Sequence, residues 1–309
     1  MNEIKIFSPA TVANVSCGFD ALGIAINAIG DEMILKKTKA KGVTISKIEG
    51  ADLTFNIKKN VASVVALTML NTNKAEFGID IQLFKKIKPG SGLGSSASSA
   101  AGAAFAVNEL LERPFSKLEL TEFARIGEKV ACDSPIADNV AAAIYGGFIL
   151  VKSYQPLEIL KLPVLNELMV TVIHPQIEIR TEDARNVLST TISIADSVIQ
   201  STNLAGLISA LYTNDYELLS RSLVDVIAEP YRKKLIPLFD EVKNSCMKSG
   251  ALGVGISGSG PAIYALSKGK ANAENVAKAM RTVYKTSNIQ FNIYSSAINE
   301  EGIKILDSN

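Results

Sequence analysis

The sequence predicts an α+β fold in two domains, on three observations. The chain has 309 residues, 47% of them hydrophobic, which is enough for two ordinary cores. Its N-terminal half mixes short strands and helices without the regular βαβ winding of a parallel sheet. Its C-terminal half spaces strands with helices in the order of a split βαβ, ferredoxin-like unit.

The elements follow in order. IKIFS, MILKKT, VTISKI, IDIQLF and GGFILVKS are short β-rich runs and read as strands, whereas NVASVVALTML, SSASSAAGAAFAVNELL and KLELTEFARIGEKVA have the length and spacing of helices. After Tyr154, Pro156 and Pro163 bracket a strand-like LEILKL, and the boundary is placed here, giving domains 1–158 and 159–309. LMVTVIHP opens the second series. Its expected helices are TEDARNVLS, a long stretch from Ile192 to Leu223, KLIPLFDEVKNSCMKSG and ANAENVAKAMRTVY, and its expected strands are ALGVGISG, PAIYALS and IQFNIYSS. No repeat, heptad or low-complexity tail interrupts them.

Charge and composition exclude several function classes. The formal net charge is +1 and Lys and Arg are scattered, with no basic stripe interleaved with aromatics, so no nucleic-acid partner is expected. No apolar run reaches the length of a membrane span, and MNEIKIFSPA lacks the apolar centre of a signal peptide, so a cytoplasmic protein without membrane contact is expected. Cys17, Cys132 and Cys246 are too widely spaced for a disulfide framework or a C-x-x-C pair and read as small buried hydrophobes. His174, the single histidine, ends an apolar strand before Pro175 and reads as structural. Catalysis must then rest on carboxylates, hydroxyls, cations and a metal, a set that suits phosphoryl transfer.

PGSGLGSSASSAAGAA, from Pro89 to Ala104, is the most informative segment. Glycines let successive N–H groups turn toward an anion, and a helix N-terminus adds free donors and partial positive charge. Gly90, Gly92 and Gly94 supply the turn, Ser95 and Ser96 fall where an N-cap belongs, and the alanines that follow favour helix. The alternative is a flexible linker before a capped helix. A Walker A loop is excluded because no Lys follows Gly94. The G-x-G-x-x-A spacing from Gly92 fails as a dinucleotide fingerprint, because the helix is followed by a second helix rather than a parallel strand. Gly253, Gly255 and Gly258 match the same spacing but precede a strand.

SPATVANVSCGFDALG, PGSGLGSSASSAAG and GVGISGSGPAIYAL, in this order and spread over nearly the whole chain, resemble the three signature segments of the GHMP kinases. The family is named for galactokinase, homoserine kinase, mevalonate kinase and phosphomevalonate kinase. The resemblance implies an N-terminal domain like the second domain of ribosomal protein S5 and a ferredoxin-like C-terminal domain. It implies that ATP phosphates are bound by Pro89, Gly90, Ser91, Gly92, Leu93, Gly94, Ser95, Ser96, Ala97, Ser98 and Ser99, with Asn60 and Val61 at the adenine. Asn60 also reads as a simple helix cap. Mg²⁺ is implied at Ser96 and Glu128, with Glu122 the nearby alternative on residues alone. Gly258 to Pro261 form a tight loop that either approaches the substrate or only turns the chain.

The first segment is most similar to the branch of the family that acts on L-homoserine: the lysine of mevalonate-type members is absent. Val12 and Cys17 stand where that branch commonly has Ser and Pro. The resemblance implies phosphorylation of the L-homoserine side-chain hydroxyl by ATP, in a protein of a family whose members are often dimers. Asp20 is then the partner of the substrate ammonium, while Asn14 holds the substrate side chain or its hydroxyl; the plain alternative for both is a turn residue. Thr181, Arg185 and Arg232 bind the substrate carboxylate, for which a guanidinium fork is suited. Arg180 competes for that role, and Arg185 could instead sit on an exposed helix face paired with Glu182. Asn139 occupies the position of the catalytic aspartate of mevalonate-type members and would orient the hydroxyl, with Asp138 structural. The remaining alternatives are a mevalonate- or sugar-type kinase of the same family, or an ATP-binding regulatory module without turnover.

Overall fold

Alternating burial carries the first strand well past the IKIFS run, as β1 (Glu3–Ala13), and it pairs antiparallel with a 17-residue β2 (Leu22–Thr38). There follow β3 (Gly42–Glu49), α1 (Val61–Asn73), β4 (Gly78–Phe84), α2 (Ser95–Leu110), α3 (Lys117–Ala131), α4 (Asp138–Tyr145), β5 (Phe148–Tyr154) and β6 (Leu157–Leu162). The chain continues through β7 (Leu168–Pro175), α5 (Thr181–Asn186), α6 (Ile194–Thr213), α7 (Tyr216–Ser222), α8 (Glu229–Arg232), α9 (Phe239–Lys248), β8 (Ala251–Ile256), β9 (Ile263–Lys268), α10 (Gly269–Tyr284), β10 (Phe291–Ala297) and β11 (Lys304–Ser308). This computed structural model describes residues 1–131 and 136–308. Cys132 lies outside the described residues.

Two sheets organise these elements. The first runs β11-β1-β2-β4-β3, with β5 on β2 and β6 on β5. The second has the order β10-β7-β9-β8 with every pair antiparallel, which is the ferredoxin-like order expected of a split βαβ unit. A division at 158/159 falls inside β6, whose Leu157 to Leu162 pair with β5, and β11 returns from the C-terminus to β1. The first sheet thus takes residues from both halves. The two sheets also share a core, in which Ala10, Val12 and Leu22 pack with Val170, Leu207 and Tyr264.

The alanine-rich α2 passes through the centre of the N-terminal body, where Ala97, Ala100, Ala101, Ala103 and Ala104 are fully buried. Small side chains let strands and helices approach on every side: a Cβ at Gly102 would lie 2.6 Å from Met33 Sδ. Ser8 and Ser98 tie α2 to β1, each hydroxyl donating to the other's carbonyl at 2.8 and 3.1 Å.

Three elements depart from the sequence expectation, each for a local reason, while the histidine and the two described cysteines sit as expected. Gly94, in a left-handed conformation, caps α2, while the Ser95 hydroxyl donates back to Ile87 O and Ser96 faces a carboxylate; neither serine is the N-cap. The stretch from Ile192 to Leu223 breaks at Asn214, which is left-handed, and restarts where the Asp215 side chain accepts from Leu218 N. The helix expected from KLIPLF begins only at Phe239, beyond Pro237. His174 is buried at the end of β7 with Gln176 Nε2 3.1 Å from Nδ1, and burial, then Lys88, pushes it down to about 4. Cys17 and Cys246 are buried, and burial pushes each thiol up to about 12. Among the described residues no helix is long and apolar enough to cross a membrane.

The three glycine-bearing segments meet at Gly92. Ser257 Oγ donates to Gly92 O at 2.7 Å, Ala262 N to Ser91 O at 3.1 Å, Thr11 N to Leu93 O at 3.1 Å, and Gly258 N to Ala13 O at 3.2 Å. A Cβ at Gly92 would stand 2.5 Å from Ser257 O and 2.7 Å from Gly260 O, both backbone atoms. Gly92 and Gly269 have nearly equal positive φ, +78° and +75°, but a Cβ at Gly269 would meet nothing within 4 Å. Gly269→Ala therefore carries only left-handed strain, about 1–2 kcal/mol. Gly92→Ala is expected to cost at least about 2 kcal/mol more by urea unfolding, through the backbone clash. Equal losses for the two variants would show that the segments do not meet this closely.

Candidate active site

A cavity of about 690 Å³ opens where the three segments converge, and it runs from Asn60, Val61 and Lys59 past the Gly-rich loop to Asn14, Asp20, Arg185 and Arg232. The loop lies in its middle. Gly90, Gly92 and Gly94 all have positive φ, at +67°, +78° and +68°, which turns the chain sharply before α2. The first helical bond is Ser98 N to Gly94 O at 2.8 Å, so the amides of Ser95, Ser96 and Ala97 precede the intrahelical ladder. No acidic residue stands in the first turn to offset the positive end of the helix. Of the loop residues the sequence singled out, Pro89, Gly90, Ser91, Gly92, Gly94, Ser95, Ser96 and Ser99 line the cavity; Leu93, Ala97 and Ser98 face the core.

Lys85 sits beneath this loop, a cation that sequence reasoning did not single out. Its ammonium pairs with Asp31 and donates to Ser95 O and Ser99 Oγ, both at 2.8 Å. Asp31 in turn accepts from Lys86 N and Ile87 N at 2.8 and 2.9 Å. The signal was present in the alternation: Ile81, Leu83 and Ile87 are buried, and Lys85 falls in the same inward phase. Burial lowers the Lys85 pKa, against the opposing pull of Asp31.

On one side of the loop, α3 brings Glu128 to Ser96, whose hydroxyl donates to Glu128 Oε2 at 3.1 Å. Glu128 is 8% exposed, and its second oxygen, Oε1, is buried with no partner among the described residues. Burial is the main cause that pushes this carboxyl up to about 7. A hydroxyl and an orphaned carboxylate oxygen beside the Gly-rich loop fit a hard cation that takes few protein ligands. Among the described residues no cluster of three or more His, Cys, Asp or Glu could hold an ion unaided. Glu122 lies elsewhere, half exposed and bonded to Arg125 Nη1 at 2.7 Å.

At the cavity's Asn60 end, both groups of the Asn60 side chain are used locally. Oδ1 accepts from Ala62 N at 3.1 Å as the cap of α1, and Nδ2 donates to Thr54 O at 3.0 Å. Asn60 and Val61 line the wall beside Leu53 and Thr54.

The opposite end gathers charge. Asn14, left-handed at φ +72°, donates from Nδ2 to Gly258 O at 2.9 Å and accepts from Asp20 N at 3.0 Å. It therefore fixes the turn that presents Asp20. Both Asp20 oxygens accept from Arg185 Nη2 at 3.0 Å. Arg185 is thus paired with Asp20, not with Glu182, and Arg180 is taken up by Asp183 at 2.9 Å on the exposed face of α5. Arg232 is 3% exposed and donates to Ala184 O and Gly258 O, each at 2.9 Å. Phe19 lies under both guanidinium groups, its ring centre 6.0 Å from Arg185 and 5.1 Å from Arg232. Thr181 opens α5 on the cavity wall and is exposed.

Asn139, on the first turn of α4, stands between the two ends. Thr11 Oγ1 donates to its Oδ1 at 2.5 Å, and its Nδ2 donates to Asp138 Oδ1 at 3.2 Å. A Cβ at Gly94 would lie 2.1 Å from Thr11 Oγ1 and 3.0 Å from Asn139 Oδ1, so this amide touches the Gly-rich loop. Asp138 is buried and also accepts from Asn139 N at 2.7 Å. Burial first, then Asp20, pushes its carboxyl up to about 7.

Residues 56–147 match the model of the GHMP kinases N terminal domain, and residues 207–286 match that of the GHMP kinases C terminal domain. The chain belongs to the GHMP kinase family. Relatives of this GHMP kinase include the homoserine kinase of Chlorobium phaeobacteroides, 44% identical over 99% of this chain and 100% of the relative. That of Methanococcus maripaludis is 45% identical over 87% and 89%. The crystal structure of homoserine kinase from Cytophaga hutchinsonii superposes with a TM-score of 0.96 at 46% identity, covering 99% of this chain and 98% of that one.

The raised Asp138 carboxyl gives a pH prediction for the kinase. The folded state holds the proton more tightly than the unfolded chain, so the stability this provides is complete below the ordinary aspartate range and is lost as pH rises toward 7. Asp138→Asn keeps an acceptor for Asn139 N and removes the buried charge. Relative to the parent, it is expected to gain on the order of 3 kcal/mol in unfolding free energy between pH 5 and pH 8. Denaturant unfolding across that range checks this, and a difference independent of pH would contradict it.

Proposed function

We propose that this GHMP kinase transfers the γ-phosphoryl group of ATP to the side-chain hydroxyl of L-homoserine, giving O-phospho-L-homoserine and ADP. The observation that carries the reading is the charge layout of one cavity: an anion loop at its centre and, beyond it, a carboxylate facing two guanidinium groups. An α-amino acid presents the complementary pair of charges. The names of relatives at 44–46% identity over nearly the whole chain support the same acceptor.

In this reading the amides that open α2 and the turn at Gly90–Gly94 cradle the ATP phosphates, with the Lys85–Asp31 pair bracing the loop from below through Ser95 O and Ser99 Oγ. Asn60 and Val61 wall the adenine end. Ser96 and Glu128 hold Mg²⁺, which when bound neutralises phosphate charge. Asp20 receives the substrate ammonium, and Arg185, Arg232 and Thr181 receive its carboxylate. Asn14 sets the turn that carries Asp20.

Asn139 would then orient the hydroxyl. Its carbonyl oxygen is fixed by Thr11 and its amide by Asp138, so the side chain is preorganised beside the loop. An amide is a very weak base, and a general base is typically worth 10² to 10⁴ in rate, so alignment and fixed charge carry more of the barrier. The absence of a lysine in the first segment argues against a mevalonate-type acceptor, and the intact Ser96–Glu128 pair argues against an inactive module.

ADP release with L-homoserine, mevalonate, shikimate and galactose tests the reading. Turnover on L-homoserine alone is expected; turnover on another acceptor instead, or on none, would overturn it. Glu128→Gln is expected to raise the Mg²⁺ concentration for half-maximal rate by more than the ~10-fold typical of losing a metal's outer-shell partner. An unchanged Mg²⁺ dependence would remove Glu128 from the metal site.

A further inference from the structure

Asp20 and Arg185, the groups read above as separate partners of the substrate's two charges, are bonded to each other. We propose that this ion pair is an exchange gate: it closes the acceptor site to any ligand that does not carry both an ammonium and a carboxylate. The inference rests on the proposed function for the placing of the acceptor, and adds how the site rejects neighbours of the right size and the wrong charge.

One partner is fixed. Asp20 occupies a left-handed residue at φ +56°, its N–H bonded to Asn14 Oδ1 at 3.0 Å and its carbonyl accepting from Tyr154 Oη at 2.8 Å. Its backbone is therefore held on both sides, and the carboxylate, 32% exposed, is presented from a fixed turn. The other partner is held less tightly. Arg185 reaches Asp20 from the six-residue α5 through Nη2 alone, and its buried Nε has no acceptor among the described residues. That unmet donor is what an incoming carboxylate can satisfy. Arg232 is the fixed second cation, locked by Ala184 O and Gly258 O over the same Phe19 ring.

Charge counting then sets the selectivity. A zwitterion replaces one internal pair with two external ones, ammonium on Asp20 and carboxylate on the arginines. A carboxylate alone either draws Arg185 from Asp20, leaving Asp20 without a partner at 32% exposure where water screens it only in part, or meets Arg185 Nε with the Asp20 charge still beside it and unneutralised by an ammonium. An amine alone leaves two guanidinium groups side by side over one ring. Each single-charge ligand thus carries an unpaired group of the protein as a penalty, which is specificity by what is left unmatched.

The test compares L-homoserine with 4-hydroxybutyrate, the same chain without its amino group, on the parent and on Asp20→Asn, by titration calorimetry. Asparagine tolerates the left-handed backbone at this position. The gate predicts opposite shifts: Asp20→Asn binds L-homoserine at least ~10-fold more weakly, yet binds 4-hydroxybutyrate about 3- to 10-fold more tightly because Arg185 is released. Weaker L-homoserine binding with 4-hydroxybutyrate unchanged or also weaker would overturn the gate while leaving the proposed acceptor site standing. No change with either ligand would overturn the placing of the acceptor itself, and the gate with it. The unaltered protein gives an independent readout. Its Arg185 guanidinium ¹⁵N resonances are expected to shift with L-homoserine and stay in place with 4-hydroxybutyrate at the same concentration, whereas equal shifts would overturn the gate.

Discussion

The close approach of three loop backbones at Gly92 is the constraint on which the rest of the site depends. Residues from β1, from the Gly-rich loop and from the β8–β9 turn hydrogen-bond to one another there, at separations that leave no room for a Cβ. Gly258 O is the common acceptor: it receives Asn14 Nδ2 from one side and Arg232 Nη1 from another. One carbonyl thus ties the turn that presents Asp20 to the helix that presents Arg232. The spacing between the Gly-rich loop and the charged end of the cavity is built into backbone contacts, which is the kind of rigidity that in-line transfer between two bound molecules needs.

Around that junction the protein keeps charges that its own fold does not fully match. Glu128 holds a buried oxygen and Arg185 a buried N–H with no partner among the described residues, and burial raises the Asp138 carboxyl to about 7. Lys85 shows the contrast, since Asp31, Ser95 and Ser99 satisfy it from three directions. Unmatched buried groups lower the stability of a free protein, and they concentrate where ligands supply the missing partners. Here they lie on either side of the loop, and the satisfied Lys85 lies beneath it.

Much of this was legible in the sequence, and the failures have physical causes. The Gly-rich loop, the helix behind it and the ferredoxin-like order of the second sheet could be read because glycine spacing and apolar periodicity are local signals. β11 escaped because KILDS is short and largely exposed, and its pairing with β1 is a contact across the whole chain. α4 was not marked out because its run of buried alanines is set by packing against α2, β1 and β2. Ser95 and Ser96 looked like caps, yet tertiary partners at Ile87 and Glu128 claimed their hydroxyls. Asn14, Asp20, Arg185 and Arg232 were named from motif positions, but neither the Asp20–Arg185 bond nor the structural use of the Asn14 amide can be read from spacing. Those depend on which side chain reaches the other first when the loops close.

The most direct measurement of the central account is a crystal structure with L-homoserine and a non-hydrolysable ATP analogue bound together. The account predicts the terminal phosphate at the amides that open α2, the substrate ammonium on Asp20, its carboxylate on Arg185 and Arg232, and its hydroxyl beside Asn139. An amino acid bound elsewhere, or phosphates lying away from Gly90–Gly94, would contradict it.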